Sequence, residues 1–399
     1  MKLAYLAFPH IGGTFTVYRH LRAGLCKAGI DLRWVGRGEE ARRALHDPVW
    51  AAERAHGLVA ADAGGDERAE ARALIEAILE HRFDGVVVNL GGDRVQTNAV
   101  RYLPGYLLRI LVVHNITPGI YASARALRDH VHATVGVSPR ITSDLTLHHG
   151  FDEARITTIL NAVDRRAHRA GPAPDPGRLR LLSLGRVEDQ AKGVLWLPDI
   201  LARLPDSVTL TVAGDGPDLQ RLRGRCAALG ARVRFLGAVP PERAEALLEE
   251  HDCLIAPSRF EGLPMTVIEA MAAGCVPVTS LLRGVTDVIV EHGKTGMLFP
   301  VGDTRAAARA VEGLLRDGAL LARMRAAGPM VADERFGVEA MASRYALLIE
   351  RVAATRPPVA DPLDIERWRL PPGLRPGLRS YLPLPVKNLI RTVRERMAS

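Results

Sequence analysis

The sequence predicts an α/β protein of two doubly wound, Rossmann-like domains that face each other across a deep cleft. Three observations predict it. Short aliphatic or β-branched runs alternate with longer amphipathic stretches along most of the chain, the pattern of βαβ units. That pattern stops at Gly-Pro-Ala-Pro-Asp-Pro-Gly (171–177), with three prolines and two glycines in seven residues, and then restarts. A length of 399 residues also suits two cores better than one.

The first domain is expected over 1–170. Strands are read at 3–8, 30–36, 83–90, 109–115, 132–138 and 155–160, with a helix from Thr14 to about Lys27. Residues 41–66 are rich in Ala, Gly and charge and show no clear period. The second domain is expected over 171–335, with strands at 179–185, 208–214, 232–237, 252–258 and 275–280. A helical stretch at 338–352, inside 336–355, closes that domain or crosses back to the first. Residues 356–399 form a Pro-rich basic tail. Eight prolines in 356–385 forbid a long helix there. The segment 386–397 then sets Val386, Leu389, Ile390, Val393 and Met397 on one helical face, flanked by Lys387, Arg391 and Arg394. Such a stripe either packs on the protein's own surface or makes reversible contact with an anionic membrane.

Composition narrows the function classes. Hydrophobic residues at 47% and charged residues at 25% are ordinary for a globular chain. Cys26, Cys226, Cys253 and Cys275 stand far apart without a C-x-x-C pair, which excludes a disulfide scaffold or zinc ribbon and fits the cytoplasm. No apolar run approaches the roughly 18 residues of a membrane span, and the N-terminal apolar stretch is too short for a signal peptide. The net charge is +8, but residues 356–399 hold nine Lys/Arg against four Asp/Glu and so carry +5 of it. With aromatics at 5% and no reader motif, nucleic acid is not an expected partner.

In open parallel sheets ligands bind beyond the strand C-termini, so the strand-to-helix loops carry the chemistry. Gly-Arg-Val-Glu-Asp-Gln-Ala-Lys-Gly (185–193) places Arg186 and Lys192 beside a helix start, a grip for a diphosphate or simply two solvated charges. Ala-Gly-Asp-Gly-Pro (213–217) lets backbone approach closely at Gly214, but the third glycine of the dinucleotide fingerprint is missing. A tight turn explains it nearly as well.

The third loop runs Pro-Ser-Arg-Phe-Glu-Gly-Leu-Pro-Met-Thr-Val-Ile-Glu (257–269). Glu261 precedes the turn Gly262-Leu263-Pro264, Pro264 suits the first helical position, and the amides near Met265 and Thr266 form an anion site. Glu269 follows about a turn and a half inside. Two carboxylates flanking an anion site suit a ligand with hydroxyls on both sides of a phosphate, although an acidic pair can also merely offset a helix dipole. A fourth loop, 281–287, lines the same edge. In the first domain Gly12 and Gly13 in His-Ile-Gly-Gly-Thr-Phe permit a ligand to approach backbone amides, and His114 ends a strand.

Together these loops, from Ser-Leu-Gly-Arg-Val-Glu-Asp-Gln-Ala-Lys-Gly to His-Gly-Lys-Thr-Gly-Met-Leu-Phe-Pro-Val-Gly-Asp, resemble the retaining glycosyltransferases of family 4, which have the GT-B fold. Asn161-Ala162-Val163-Asp164 resembles that family's Asn-Gly-Val-Asp with Ala162 in place of glycine. The resemblance spans about 1–355. It implies that Arg186 and Lys192 bind the diphosphate, Glu261 the donor-sugar hydroxyls and Glu269 the ribose, with His114 contacting the transferring sugar. It departs at Thr286-Asp287, where many members carry Pro-Glu.

The expected reaction moves a hexose-type sugar from a UDP- or GDP-linked donor to a hydroxyl of a glycan or lipid-linked acceptor, with retention, in bacterial envelope or exopolysaccharide synthesis. No cofactor is expected. The sequence holds no D-x-D, H-E-x-x-H or clustered carboxylates suited to Mg²⁺, so cationic side chains take a metal's place. A nicotinamide oxidoreductase would need G-x-G-x-x-G after strand one, where His-Ile-Gly-Gly-Thr-Phe stands instead. A sugar-nucleotide epimerase of the same fold and a non-catalytic sugar-nucleotide-binding protein remain as alternatives.

Overall fold

Among the described residues seven parallel strands make the first sheet and six the second. The computed structural model describes residues 1–91, 93–164, 175–375 and 382–398. Internal contacts divide the chain into Met1–Asn161 with Val338–Tyr381, and Ala162–Gly337 with Leu382–Ser399. Of the expected linker, residues 171–174 lie outside the described residues.

In the first unit β1 (Lys2–Leu6), β2 (Asp31–Gly36), β3 (Gly57–Val59), β4 (Gly85–Asn89), β5 (Leu108–Val113), β6 (Ala133–Gly136) and β7 (Ile156–Thr158) lie in the order β3-β2-β1-β4-β5-β6-β7. Their apolar runs are continuous because helices cover both faces, and every residue of β5 and β6 is buried. Arg109 is the exception inside that run. Its side chain is fully buried, and its guanidinium donates to the carbonyls of Leu103, Pro104 and His130. Burial lowers its pKa to about 10 and pushes His130 and His132 down to about 4. The stretch 41–66, which shows no period, holds most of a helix (Gly38–His46), a 3-10 turn (Pro48–His56) and the three-residue edge strand β3.

The helix Val338–Thr355 packs on the first unit. Gly24 of the helix Gly13–Lys27 lies so close to Ala342 that a Cβ there would overlap the alanine methyl. Lys27 Nζ lies 2.6 Å from Glu339 at the rim of that contact. The proline-rich segment then runs along the same unit without a long helix. Ala360 N donates to Asp129 O at 2.7 Å, Leu363 N donates to Arg101 O at 2.9 Å, and Trp368 tilts against Tyr102 with ring centroids 4.9 Å apart.

In the second unit β8 (Leu179–Leu184), β9 (Val208–Ala213), β10 (Val233–Gly237), β11 (Cys253–Ala256), β12 (Val276–Ser280) and β13 (Met297–Phe299) lie in the order β10-β9-β8-β11-β12-β13. Each sheet therefore reverses its strand order once, between β1 and β4 and between β8 and β11. Loops at such a reversal diverge to opposite faces and leave a crevice at the strand C-termini.

The terminal helix, Leu384–Ala398, belongs to the second unit and starts two residues before the expected 386. Pro385 is tolerated there because a first-turn amide needs no helical partner. The helix turns its apolar stripe outward: Leu389 and Ile390 are 65% and 52% exposed, and Met397 is 85% exposed. Its opposite, polar stripe faces the unit, with Glu395 buried. Among the described residues no helix is long and apolar enough to cross a membrane.

Candidate functional site

The loop after β8 and the loop after β11 meet at the order reversal of the second sheet. Arg259 N donates to Ala191 O at 2.7 Å, so the loops are joined backbone to backbone. The turn Asp189–Lys192 ends on Gly193 in the left-handed conformation (φ 60°), where a Cβ would overlap the Pro257 carbonyl. That glycine lets the loops approach and aims Lys192 across them. Lys192 Nζ reaches Glu261 Oε1 at 2.7 Å, and Ser258 Oγ donates to the same oxygen at 2.7 Å. Glu261 is buried, so its charge is held by one cation and one hydroxyl. Arg186 lies at the mouth of the first loop, two-thirds exposed, with Glu188 at 3.7 Å.

Gly262, Leu263 and Pro264 are buried and lead into the helix Met265–Ala272. Pro264 is its N-cap (φ −72°, ψ 106°), one residue before the first helical position expected. Met265 and Thr266 open the helix, and no side chain caps it. Glu269 lies in its second turn. Burial, with Glu245 adding to it, pushes its carboxyl up to about 7. Burial thus favours its neutral form more than for an ordinary carboxyl.

Gly214, at the end of β9, has a packing reason of its own. Its φ is 146°, and a Cβ would fall inside the carbonyl oxygen of Gly185. The loops after β8 and β9 thus touch through backbone, with Gly185 N donating to Ala213 O at 2.9 Å. Thr286, at the departure from the family pattern, spends its hydroxyl on the fourth loop itself. Its Oγ1 donates to Ser280 O at 2.8 Å and accepts from Leu282 N at 2.7 Å.

Gly12, Gly13 and His114 belong to the first unit. Gly12 is the extended N-cap of the helix Gly13–Lys27, and both glycines are exposed. His114 stands one residue beyond β5, and burial pushes its imidazole down to about 4, so it is neutral. Its Nε2 lies 2.8 Å from the Asn89 carboxamide. Among the described residues no group of three His, Cys, Asp or Glu converges on a metal position.

The sequence reading missed Asp189 and Arg259. Arg259 donates from Nη2 to Asp189 Oδ2 at 2.9 Å and from Nε to Asp189 O at 3.0 Å, while its guanidinium lies over the Trp196 ring at 3.7 Å. Both residues stand in the two quoted loops, and their opposite charges were the available signal.

Part of the chain is similar to known proteins. Residues 178–317, the segment that carries both loops, match the family model described as Glycosyl transferases group 1. The fold is that of solved glycosyltransferase structures. The chain superposes on a structure of Anabaena Alr3699/HepE in complex with UDP and glucose with a TM-score of 0.73 at 17% identity, covering 88% of this chain and 100% of that one.

Among curated relatives, a phosphatidyl-myo-inositol mannosyltransferase of Mycobacterium leprae is 35% identical over 179 residues, 44% of this chain and 47% of that protein. A glycogen synthase of Mycobacterium tuberculosis is 32% identical over 195 residues, 47% of this chain and 46% of that protein. The chain spans about half the length of these curated relatives.

Proposed function

We propose that the protein is a retaining, metal-independent glycosyltransferase of family 4. It would move a hexose-type sugar from a UDP- or GDP-linked donor to a hydroxyl of a glycan or lipid-linked acceptor. One observation carries this: the Arg186/Lys192 loop and the Glu261 loop leave the two strands that flank the reversal of the second sheet. The matched group 1 segment supports it, as does the UDP held by the Anabaena protein of like fold.

In the reaction the bond between the anomeric carbon and the diphosphate oxygen breaks, and the diphosphate leaves with the electron pair. The acceptor oxygen attacks the anomeric carbon from the same face, and its proton passes to the departing phosphate oxygen. Arg186, Lys192 and the amides of Met265 and Thr266 take up the developing negative charge, one such donor contributing ~3 kcal/mol. Glu261 holds donor-sugar hydroxyls, Glu269 the ribose, and neutral His114 the transferring sugar, with Gly12, Gly13, Gly214, Gly262, Leu263 and Pro264 shaping the donor's path.

We assign the work to the cytoplasmic side of a bacterial membrane, in envelope or exopolysaccharide synthesis. The exposed row on 386–397, edged by Lys387 and Arg394, is the surface that would meet anionic lipid. The relative named for phosphatidyl-myo-inositol supports a lipid-linked acceptor.

A thermal-shift screen with UDP-, GDP- and ADP-sugars tests the proposal. The true donor raises Tm in a concentration-dependent way, and transfer to acceptor follows with it. No shift with any of the three overturns it, and isomerised donor without acceptor turnover would favour an epimerase.

A further inference from the structure

We infer that the terminal helix is a strut that sets the positions of the donor loops and links them to the lipid-facing surface, an inference that rests on the donor site proposed above. The helix has two working stripes. Outward lie Leu389, Ile390, Val393 and Met397. Inward, one turn apart, lie Asn388 and Thr392, and both reach the pair that ties the donor loops together.

Thr392 Oγ1 accepts from Arg259 Nη1 at 3.0 Å, and Asn388 Nδ2 comes within 3.5 Å of Asp189 Oδ2. Beside them the Arg391 guanidinium covers the Phe260 ring at 3.9 Å. Phe260 sits between Arg259 and Glu261, so the helix grips two consecutive residues just before the carboxylate. At the far end Arg396 Nε donates to Val301 O at 2.7 Å.

The contacts of Asn388 and Thr392 land on residues that the donor loops need for their own geometry. Arg259 is bonded three ways: to the Asp189 carboxylate, to the Asp189 carbonyl and to Thr392. Asp189 also accepts from Leu195 N at 3.1 Å and opens the turn that ends at Lys192. Movement of the helix is therefore transmitted through Arg259 and Asp189 to Lys192, and through Phe260 to Glu261. Lipid on the outward stripe fixes the helix, and a fixed helix holds the loops. Charge favours an anionic surface as the occupant. Arg394 lies exposed beside the outward stripe with Lys387 at its edge, while the helix's single acid, Glu395, is buried against the protein.

The test uses the full chain as wild type, Asn388→Ala/Thr392→Val, and Leu389→Gln/Ile390→Gln. Two readouts are taken: UDP and GDP binding by calorimetry, and hydrogen exchange of the amides in 186–193 and 258–266. The inner double variant is expected to bind the nucleotide about five- to tenfold more weakly and to exchange faster in both loops, with Tm close to wild type. Nucleotide affinity and loop exchange equal to wild type overturn the strut. The outer double variant is expected to match wild type in buffer. Phosphatidylglycerol vesicles are expected to slow loop exchange in wild type and not in that variant. Vesicles that leave wild-type exchange unchanged overturn the link to lipid. If wild type binds neither nucleotide, the donor site itself is misassigned, and the exchange data still decide whether the helix holds the loops.

Discussion

Lys192 and Glu261 stand 69 positions apart in sequence and close to 2.7 Å across the two loops that end β8 and β11. In the donor site proposed above, the pair joins the cation assigned to phosphate and the carboxylate assigned to sugar hydroxyls. Ser258 supports the same carboxylate oxygen, so neither charge is left uncompensated. A donor lying between them would divide the pair, its diphosphate taking the ammonium and its sugar the carboxylate.

Lys192→Ala is expected to lower transfer about a hundredfold and to cost about 1–2 kcal/mol of stability, because Glu261 stays buried without its cation. Arg186→Ala is expected to lower transfer strongly with no change in Tm, since its side chain is two-thirds exposed. Steady-state rates and melting curves on both variants separate the effects. Equal stability losses would contradict the geometry.

Glu269 sets a pH dependence. Its carboxyl titrates at about 7, above the 4.5 of the unfolded chain, so it is neutral below and charged above. A charged carboxylate is the better acceptor for a ribose diol, so nucleotide affinity should rise from pH 6 to pH 8. Glu269→Gln should flatten that rise. The sign for stability is opposite: a raised carboxyl pKa costs stability as pH rises toward and past 7, so Glu269→Gln should stabilise more at pH 8 than at pH 5. Calorimetry and melting curves across that range check both.

Acid acts on the first unit through its histidines. His114, His130 and His132 are each pushed down to about 4 by burial, from about 6.5 when unfolded. Between those values the unfolded chain binds more protons, so stability falls as pH drops from about 6.5 to 4. Melting temperature measured from pH 7 to pH 5 should decline steadily. His132→Gln should reduce the slope, as one proton-accepting site is removed.

Two glycines should respond in opposite directions. Gly214→Ala drives a methyl into the Gly185 carbonyl at a backbone angle alanine resists, and should cost more than about 3 kcal/mol. Gly224→Ala, exposed on the helix Leu219–Cys226 with open space around it, should stabilise by about 0.5–1 kcal/mol. Chemical denaturation of both variants measures the contrast.

The long buried strands were legible in sequence because apolar runs such as Arg-Ile-Leu-Val-Val leave little choice of element. β3 and β13 were not, since each is three residues at a sheet edge with no longer β-branched run around it, whereas the equally short β7 lies within Arg-Ile-Thr-Thr-Ile-Leu. The loops were legible as loops through their Gly, Pro and charge. Their pairing was not: Lys192 meets Glu261, and Arg259 meets Asp189, only because β8 and β11 are neighbours, a fact of strand order that no local pattern encodes. The terminal helix shows a further limit. Its period marked an apolar and a polar face correctly, but Asn388 and Thr392 bind the unit while Leu389 and Ile390 stay outside, the reverse of ordinary amphipathic packing.

The chain passes between its two units three times, after Asn161, after Gly337 and again before Leu382. During synthesis the first unit therefore emerges without the helix Val338–Thr355 that covers Gly24, and it must wait for Ala162–Gly337 to be translated before it can close. The second unit in turn waits for the helix Leu384–Ala398. Neither unit can be released from the ribosome as a finished body, and a fragment cut at residue 161 would leave an apolar groove uncovered. Premature termination before Val338 should thus yield an aggregating product rather than a functional half.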